Sequence, residues 1–532
     1  MKNTPSWLST AVFYEVYPQS FLDTNGDGIG DLPGVIAKLD YIASIGCNAI
    51  WLNPCFESPF GDAGYDVSDF YQVAARYGTN DDLIRLFNEA HVRGLKVCLD
   101  LVAGHTSTEH PWFRRSAEPT RNEFSDRYIW TNSVWENAEG FSQVNGYGER
   151  DGNYVTNFFH FQPALNYGFA KPDPAKTWQL PVDHPACKAN REEMKNIMRF
   201  WLDAGADGFR VDMASSLVKG DLDFAETMAL WQEMRHFYDT EYPEAALIAE
   251  WSDPERAIHA GFHIDFLIHF NDPGYTTLFR SDAHRDFFGL FPNMPPSYFD
   301  KAGQGNIRPF LDHYLKHLEP TQSAGYISLP TGNHDIMRLA HGRSIDELKV
   351  ALTFLFTLPG VPYIYAGDEI GLDYTAGLVT KEGGYARTGS RTPMQWEAGA
   401  RNLGFSTAPA EQLYLPVNTD SGAPTVAEQE TQSDSILAHV KHLLALRKDH
   451  SALGNDAAFR PLHAEPNSYP FVYERKDATG TCIIAVNPSG QPQSVTLPEL
   501  KNAELLSGAG VSLTGESLAM EGVSYAIYAL AG

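Results

Sequence analysis

Acidic side chains in this 532-residue chain follow short apolar runs, at positions where a β-strand would end. The run GFRVD carries Arg210 and Asp212 two residues apart, so both side chains would lie on the same side of a strand. An isolated pair of this kind is most often a surface ion pair. A guanidinium beside a carboxylate nevertheless favours the ionised carboxylate, which a nucleophile requires. Asp212 is therefore a candidate nucleophile.

Further acid and imidazole groups stand at the ends of other apolar runs. Glu250 ends AALIAE, His105 follows DLVAG, and His334 and Asp335 stand together in GNHD. If these runs are parallel strands of one barrel, their carboxyl ends meet at the end where reactive groups gather. A single His or Asp at a strand end is normally structural, but four strands that all end this way predict one shared site.

Three carboxylates without a cofactor motif favour one kind of chemistry. The chain has no GxGxxG after a strand and no GxxxxGK[ST], HExxH or GxSxG, so we expect no organic cofactor. Paired carboxylates suit glycosidic bond cleavage, in which one attacks the anomeric carbon and the other protonates the leaving oxygen. Glu250 precedes Trp251 at an apolar strand end, where partial desolvation would raise its pKa for the acid role. Asp335 would then support the sugar.

Apolar runs alternate with helical patterns along most of the chain. This alternation indicates βα units and a parallel sheet, and eight such strands fit a closed (β/α)8 TIM barrel. The predicted strands are residues 11–21, 47–53, 95–102, 207–213, 245–250, 264–270, 325–330 and 361–366. The predicted helices include residues 32–45, 81–93, 191–204, 224–238 and 435–448.

Two parts of the chain lack this alternation. The residues after the third strand are rich in Gly, Asn and aromatic side chains, which indicates an inserted domain. Beyond residue 453, short alternating runs predict an antiparallel β-sandwich. We therefore predict a barrel built from residues 1–104 and 176–453, an inserted B domain at 105–175 and a C-terminal β domain at 454–532.

Composition narrows the classes of partner and compartment. A net charge of -27 argues against nucleic acid and anionic membranes and favours a small neutral or cationic ligand. The 5 cysteines are widely spaced and predict neither a disulfide framework nor a metal cluster. Residues 350–367 carry no charge, but Pro359 and Pro362 would break a membrane helix, so a helix, a turn and a strand are expected. The first residues lack the apolar core of a signal peptide, which predicts a cytoplasmic protein.

The segment DTNGDGIGD places oxygen-bearing side chains at every second position, with glycines between them. This spacing resembles the start of an EF-hand loop without its bidentate Glu, and it suits Ca2+, which takes several hard oxygen ligands. A solvated turn rich in Asn, Asp and Gly is the alternative. The side chains concerned are Asp23, Asn25, Asp27 and Asp31.

The segments DLVAGH, GFRVDMA, IAEW and GNHD resemble the successive signature segments of the α-amylase family of glycoside hydrolases (family 13). The segments YEVYPQSF, GYDVSDF, QPALN, RTPMQW and LYLPVN resemble the branch of oligo-1,6-glucosidases, α-glucosidases and trehalose synthases in particular. The likeness covers nearly the whole chain. It implies a calcium-supported barrel with an inserted B domain, a β-rich C-terminal domain and retaining chemistry on α-glucosides.

The resemblance also implies roles for individual residues. The catalytic residues would be the nucleophile Asp212, the acid/base Glu250 and the transition-state stabiliser Asp335. The sugar in subsite -1 would be bound by the ring-stacking Tyr65 and by His105, Arg210 and His334. Asp62 would hold the non-reducing end with Arg391 as its salt-bridge partner, and Asp66 is the competing choice for Asp62. The calcium ligands would be Asp23, Asn25, Asp27, the carbonyl of Ile29, and Asp31.

Three positions depart from the family pattern. Gly104 stands where the family usually has Asn, and Ala164 stands where it often has Asp. Both changes remove oxygen ligands of the calcium site typical of α-amylases, so only the 23–31 site is expected. Met213 follows the nucleophile where 1,6-specific members tend to have Val and 1,4-specific members a smaller residue, so the linkage preference stays open.

The expected function is that of an exo-acting α-glucosidase on short oligosaccharides, which works through a covalent glucosyl intermediate. A transglucosidase or isomerase of the trehalose synthase type shares that intermediate and is the main alternative. An endo-acting α-amylase is a further alternative. A non-catalytic relative with a scaffolding role is disfavoured, because all three carboxylates are present and no membrane span is found in the sequence.

Overall fold

The computed structural model describes residues 2–268, 273–279, 295–420 and 422–530. Its largest sheet has eight parallel strands in the order β7-β6-β5-β4-β3-β2-β1-β8. A parallel bridge between Pro330 and Tyr363 joins the two ends, so the sheet closes into a barrel. The strands are β1 Phe13–Val16, β2 Ala49–Leu52, β3 Lys96–Leu101, β4 Gly208–Val211, β5 Ala246–Ala249, β6 Ile264–Phe266, β7 Tyr326–Ser328 and β8 Tyr363–Tyr365.

The predicted TIM barrel is thus confirmed, and each of its strands lies within a predicted run. The observed strands are shorter, because the described residues at one or both ends of each run lie in loops. The end of the predicted sixth strand, residues 269–270, lies outside the described residues.

The helices packed around the barrel agree in position with the prediction, with two differences. The predicted helix 32–45 is two helices separated at Lys38, whose ψ of 10° is not helical. The helix predicted from residue 191 begins earlier, at Pro185. Its N-cap residue is His184, whose ring accepts a hydrogen bond from the amide of Ala186. The helices are α1 Leu32–Ala37, α2 Leu39–Ile45, α3 Asn80–Val92, α4 Pro111–Ser116, α5 Pro185–Asp203, α6 Ala225–Glu241, α7 Pro254–His259, α8 Pro273–Phe279, α9 Arg308–Thr321, α10 Ile345–Thr357, α11 Val426–Glu430 and α12 Ile436–Asp449.

Side chains alternate between the inside and the outside of the barrel. On β2, Trp51 packs inside with Phe13 and Tyr363, whereas Ile50 and Leu52 pack outward against the helices. This period of two places every other residue of a strand in the barrel interior. By the same alternation Glu15, Asp100 and Arg210 point inward, which brings charged groups to the interior.

Between β3 and α5 the chain has little regular structure. Gln143–Val144 pairs with Tyr154–Val155, and an antiparallel bridge joins His105 to Ala164. The rings of Phe113 and Trp130 stack within this segment, and Ile129, Val155, Phe169 and Trp178 belong to a small core of its own. An inserted unit after the third strand therefore exists, and its limits at 105 and 175 stay a prediction.

The C-terminal residues form six antiparallel strands in one hydrogen-bonded sheet. Alternate residues face two cores: Phe471 and Ile484 pack on the barrel helices, whereas Val472 and Ile483 face a separate core. Arg447 of α12 and Arg475 of β10 are buried and donate to main-chain carbonyls at the end of α10. The strands are β9 Ala458–His463, β10 Phe471–Lys476, β11 Thr481–Asn487, β12 Gln493–Thr496, β13 Glu504–Thr514 and β14 Ser517–Leu530.

The uncharged run at residues 350–367 forms the second half of α10, a turn and β8, as predicted. Over the described residues, no helix has the length and apolar character needed to cross a membrane. The cysteines Cys47, Cys55, Cys98, Cys187 and Cys482 are buried free thiols.

Candidate active site

Arg210 of β4 lies among three carboxylates at the carboxyl end of the barrel. Its Nη1 is 2.8 Å from Asp100 Oδ1 and 3.3 Å from Asp212 Oδ1. Its Nη2 is 2.8 Å from Glu250 Oε1, and the amide of Met213 donates to the other Glu250 oxygen at 3.0 Å. Arg210 therefore brings together the two carboxylates that the sequence predicts as nucleophile and acid/base.

The pKa values of Asp212 and Glu250 are both raised. Burial raises the pKa of Asp212 well above its usual range, and the nearby Glu250 raises it further, whereas Arg210 lowers it. Burial also raises the pKa of Glu250, while Arg210 and the amide of Met213 lower it. Burial and Glu250 thus oppose the effect of Arg210 on Asp212, which the spacing of Arg210 and Asp212 in the sequence does not reveal. One guanidinium between two buried carboxyl groups favours a pair that keeps one proton.

Asp335 differs from this pair because it has two arginine partners. Its Oδ1 is 2.8 Å from Arg391 Nη2 and 2.9 Å from Arg387 Nη1. Burial opposes ionisation of Asp335, but His334, Arg387 and Arg391 outweigh it and hold the pKa of this carboxyl well below its usual range. Asp335 is therefore an anion at neutral pH.

His334 and Tyr65 form a stacked pair beside Asp335. Their rings lie 5.4 Å apart at an angle of 11°, and the hydroxyl of Tyr65 is 2.8 Å from Nε2 of His334. Nε2 also lies 3.3 Å from Asp335 Oδ2. Burial lowers the pKa of His334 to about 3, so the imidazole is neutral at neutral pH.

The expected salt bridge between Asp62 and Arg391 is wrong. Asp62 instead lies 3.4 Å from Nη2 of Arg387 and accepts a hydrogen bond from Gln162, while Arg391 binds Asp335 and the carbonyl of His334. Both arginines follow the last barrel strand, four residues apart, and the backbone path of this stretch decides which one reaches Asp62. The prediction followed the RTPMQW motif and so chose the wrong member of the pair.

Asp66, the competing choice for Asp62, has a different environment. Its two oxygens accept hydrogen bonds from the hydroxyl of Ser58 and from the amides of Gly61 and Asp62. These bonds hold the loop that carries Asp62. The geometry thus favours Asp62 as the residue that faces an arginine in the site.

The chain matches known proteins along most of its length. Residues 15–456 match the family described as "Alpha amylase, catalytic domain". The chain belongs to the α-amylase family. Members of this family are glycoside hydrolases and transglucosidases that act on α-glucosides, so the chain is an enzyme of this type.

Individual members of the α-amylase family match over most of the chain. The trehalose synthase/amylase TreS of Mycobacterium tuberculosis (strain CDC 1551 / Oshkosh) is 31% identical and aligns with 96% of this chain and 86% of its own. The oligo-1,6-glucosidase of Heyndrickxia coagulans is 29% identical, over 98% of this chain and 99% of its own. An isomaltulose synthase mutant of Erwinia rhapontici NX5, in complex with its natural substrate sucrose, has the same fold with a TM-score of 0.81 at 24% identity, and the match covers 99% of this chain and 100% of that one.

In this α-amylase-family enzyme, both ring nitrogens of His105 have protein partners. Nε2 lies 3.0 Å from the carbonyl of Tyr65, and Nδ1 lies 3.2 Å from the amide nitrogen of Asn157. Burial lowers the pKa of His105 to about 4. A neutral ring with Nε2–H directed at the carbonyl and Nδ1 as acceptor satisfies both contacts.

Asn157 connects His105 to a buried lysine. The ammonium of Lys219 donates to Asn157 Oδ1 at 2.8 Å and to the carbonyl of Ser216 at 2.6 Å. Burial lowers the pKa of Lys219 to about 8. The Asn157 side chain has room because residue 104 is Gly: a Cβ there would lie 2.6 Å from Asn157 Nδ2.

Met213, which follows Asp212, has a left-handed backbone with φ of 44°. A non-glycine residue in this region is strained, and such strain occurs at functional sites when the surroundings hold it in place. Here the amide of Met213 is held by Glu250. The turn therefore positions Glu250 next to the strand that ends at Asp212.

The predicted calcium loop uses its oxygens as acceptors for main-chain amides. Asp23 accepts from Gly26 and Gly28, Asn25 from Asp27, and Asp27 from Ile29. Asp31 caps α1 through the amide of Gly34. The donor set has the oxygen chemistry that Ca2+ prefers. Within the described parts of the chain, however, no three or more His, Cys, Asp or Glu side chains are grouped to hold a metal ion, so calcium binding stays a prediction.

Sequence reasoning missed several residues of the site: Glu15, Asp100, Asn157, Lys219 and Arg387. Glu15 and Asp100 stand in the predicted strands at residues 11–21 and 95–102, and a charged residue inside an apolar strand was the signal that would have found them. Arg387 and Asn157 lie in stretches without periodicity, where the sequence carries no comparable signal.

Proposed function

We propose that this enzyme is a retaining, exo-acting α-glucosidase that hydrolyses short oligosaccharides through a covalent glucosyl intermediate. The observation that carries this proposal is the link that Arg387 makes between Asp62 and Asp335. This link closes one side of the group of carboxylates. A site closed behind the terminal glucose admits one sugar unit, which favours exo action.

In the first step Asp212 attacks the anomeric carbon while Glu250 transfers its proton to the glycosidic oxygen. The bond from this carbon to the leaving sugar breaks as the ester with Asp212 forms. Glu250 then takes a proton from water, and the hydroxyl that results attacks the same carbon and releases Asp212. This sequence requires that the buried pair keep its one proton on Glu250 and that Asp212 be the anion.

The remaining groups orient the sugar and stabilise charge. Asp335 is an anion at neutral pH and would face the positive charge that develops on the sugar ring. Tyr65 would stack on the glucose. His105 and His334 would bind its hydroxyl groups by exchanging one of the protein contacts that their ring nitrogens make in the structure.

Substitution of the paired carboxylates tests the assignment. Asp212→Asn is expected to reduce glucose release to background, and Glu250→Gln is expected to lower kcat by about 10²–10⁴-fold. Asp434→Asn, at an exposed position, is the control and should keep full activity. Substrates are maltose, isomaltose, sucrose, trehalose and soluble starch, with products separated by chromatography. Undiminished glucose release by Asp212→Asn would contradict the assignment, and internal fragments from starch would contradict exo action.

Transfer of the glucosyl group to a second sugar is the other candidate function. The relative from Mycobacterium tuberculosis is named a trehalose synthase/amylase. Two largely exposed aromatic rings support this candidate, because sugars stack on such faces: Phe158 lies beside Arg387, and Tyr385 packs on the neighbouring Phe159. Incubation with maltose separates the two functions. Glucose as the main product supports hydrolysis, whereas trehalose or longer oligosaccharides support transfer.

We also propose that the loop at residues 23–31 binds one Ca2+ with a structural role. The oxygen-rich donor set and the turns at Gly26 and Gly28, with φ of 80° and 93°, support this proposal. The ion takes no part in the reaction steps above.

A further inference from the structure

Glu15 is a buried acid that the reaction steps do not use. It lies on β1 inside the barrel and is fully buried. Its Oε1 is 2.8 Å from Nδ1 of His334, and its Oε2 has no hydrogen-bond donor among the residues that the structure describes. A buried carboxylate with one oxygen unsatisfied is costly when ionised, and much less so as the neutral acid.

The protonation state of Asp100 sets the direction of the hydrogen bonds that join Asp100, Tyr65 and His334. This carboxylate accepts from Arg210 at 2.8 Å, from the indole of Trp51 at 3.1 Å and from the hydroxyl of Tyr65 at 3.0 Å. Burial raises the pKa of Asp100, whereas Arg210 and the hydrogen bonds from Tyr65 and Trp51 lower it. The guanidinium at 2.8 Å and the indole can only donate, so these contacts favour the ionised carboxylate. The single hydroxyl proton of Tyr65 is thus used on Asp100.

This use of the Tyr65 proton fixes the tautomer of His334. The oxygen of Tyr65 must accept from Nε2 of His334, 2.8 Å away, so Nε2 carries the proton. A neutral imidazole then has a lone pair on Nδ1. Nδ1 faces Glu15 at 2.8 Å and the amide nitrogen of Asn53 at 3.1 Å. If Glu15 were ionised, a lone pair on its Oε1 would face the lone pair on Nδ1 of His334 at hydrogen-bond distance, with no proton between them.

We propose that Glu15 is a positioning residue kept as the neutral acid, and that its O–H donation to Nδ1 of His334 directs the hydrogen-bond chain that ends at Asp100. The chain leaves Asp100 ionised against Arg210, the cation that holds the nucleophile and the acid/base. The role in catalysis rests on the glucosidase proposal, whereas the protonation state of Glu15 does not.

The charges around Glu15 agree with a neutral acid. Burial raises its pKa well above the usual range and Asp335 acts in the same direction. Hydrogen bonds from the Asn53 side chain and the His334 main chain, and the charge of Arg210, lower it. The ionisable groups that face Glu15 come from β4, from the segment after β7 and from β8: Arg210, His334, Asp335, Tyr363 and Tyr365. One cation that already contacts three other carboxylates does not compensate a further buried anion.

Infrared difference spectroscopy on the full-length enzyme tests the protonation state directly. Glu15→Gln replaces the acid with a neutral group that still donates to Nδ1 and cannot ionise. We expect the wild type at neutral pH to show the carbonyl band of a protonated carboxyl group, and this band to be absent from Glu15→Gln. A difference spectrum that shows only the loss of an ionised carboxylate would overturn the proposal. The measurement needs no substrate, so its result is independent of the glucosidase assignment.

Kinetics then test the positioning role. Glu15→Gln is expected to keep kcat/KM within about fivefold of wild type at neutral pH, whereas Glu15→Ala should lose about tenfold or more. Wild-type activity should also fall at alkaline pH as Glu15 ionises, and this fall should be weaker in Glu15→Gln. Equal losses in the two variants at every pH would overturn the role. Circular dichroism checks the fold, and the infrared comparison remains decisive if Glu15→Ala does not fold.

Discussion

The guanidinium of Arg387 lies 2.9 Å from the carboxylate of Asp335, in a contact that is largely shielded from solvent. The same guanidinium reaches Asp62 at 3.4 Å. Arg387 therefore joins the carboxylate that follows β7 to the loop that follows β2. The proposed closure of the site behind the terminal glucose depends on this side chain from the stretch after β8.

Replacement of Arg387 by Met is expected to weaken substrate binding and catalysis. A hydrogen bond to a charged group is worth about 1.5–3 kcal/mol, so we expect kcat/KM to fall about 10–100-fold. The rise in KM should exceed the fall in kcat, because Arg391 still holds Asp335 as an anion. Initial rates with maltose measure both constants. Arg460→Met, which removes an exposed ion pair in the C-terminal sheet, is the control; equal effects of the two variants would contradict the role of Arg387.

Gly104→Ala is expected to destabilise the enzyme because the new Cβ meets the amide of Asn157 at 2.6 Å. Overpacking of a buried site costs about 1–3 kcal/mol. Asn157→Ala removes the obstructing group, so the double variant should lose less stability than the sum of the single variants. Thermal unfolding of all four proteins measures the coupling. Gly480→Ala, where the added Cβ has open space, serves as the control, and strict additivity would contradict the contact.

The pH dependence of stability should reveal the paired state of Asp335. The pKa of Asp335 in the folded state lies well below its pKa in the unfolded chain. Between these two pKa values the folded protein therefore binds fewer protons than the unfolded chain. The stability contributed by the ion pairs of Asp335 with its arginines is therefore present above the pKa of the unfolded chain, about 3.9. It is lost as the pH falls below that pKa. We expect Asp335→Asn to be less stable than wild type between pH 5 and pH 7 (about the range of maximal stability), and the difference to shrink below about pH 4. A difference that grows on acidification would contradict this account.

Calcium removal tests the loop at residues 23–31. Chelation should lower the unfolding temperature of the wild type, and added Ca2+ at 100 times Kd should restore about 2.7 kcal/mol. Asp27→Ala is the informative variant, because Asp27 is exposed and accepts only a local hydrogen bond within the turn. Asp23 and Asp31 accept buried main-chain hydrogen bonds, so their loss would destabilise the fold without Ca2+. Asp27→Ala should no longer respond to Ca2+. Asp477→Ala, in a similar turn of the C-terminal domain, is the control. Equal responses of all three proteins to Ca2+ would argue against the site.

Much of the fold was predictable because strands and helices have local periods. The eight barrel strands each lie in a run of apolar residues, and the antiparallel C-terminal strands alternate with a period of two. The site at the carboxyl ends of β3, β4, β5 and β7 followed from this topology. Asp212, Glu250 and Asp335 therefore could be located before any distance was known.

The errors and omissions fall where local patterns end. Arg387 and Arg391 are four residues apart in an irregular stretch, and only the folded backbone shows that Arg387 faces Asp62 while Arg391 faces Asp335. The pKa of Asp212 was argued from Arg210 alone, because a sequence does not show that Glu250 and burial act on the same carboxyl group.

By itself, the sequence determined the barrel, the family and the strand ends that carry the carboxylates, because these depend on hydrophobic period and on short motifs. Tertiary structure alone decided which charges are paired and which proton each group keeps. Burial, distance and hydrogen-bond direction set these properties, and they join residues as far apart in the chain as Glu15 and His334. That is why the residues that meet at the strand ends were predictable and their electrostatic arrangement was not.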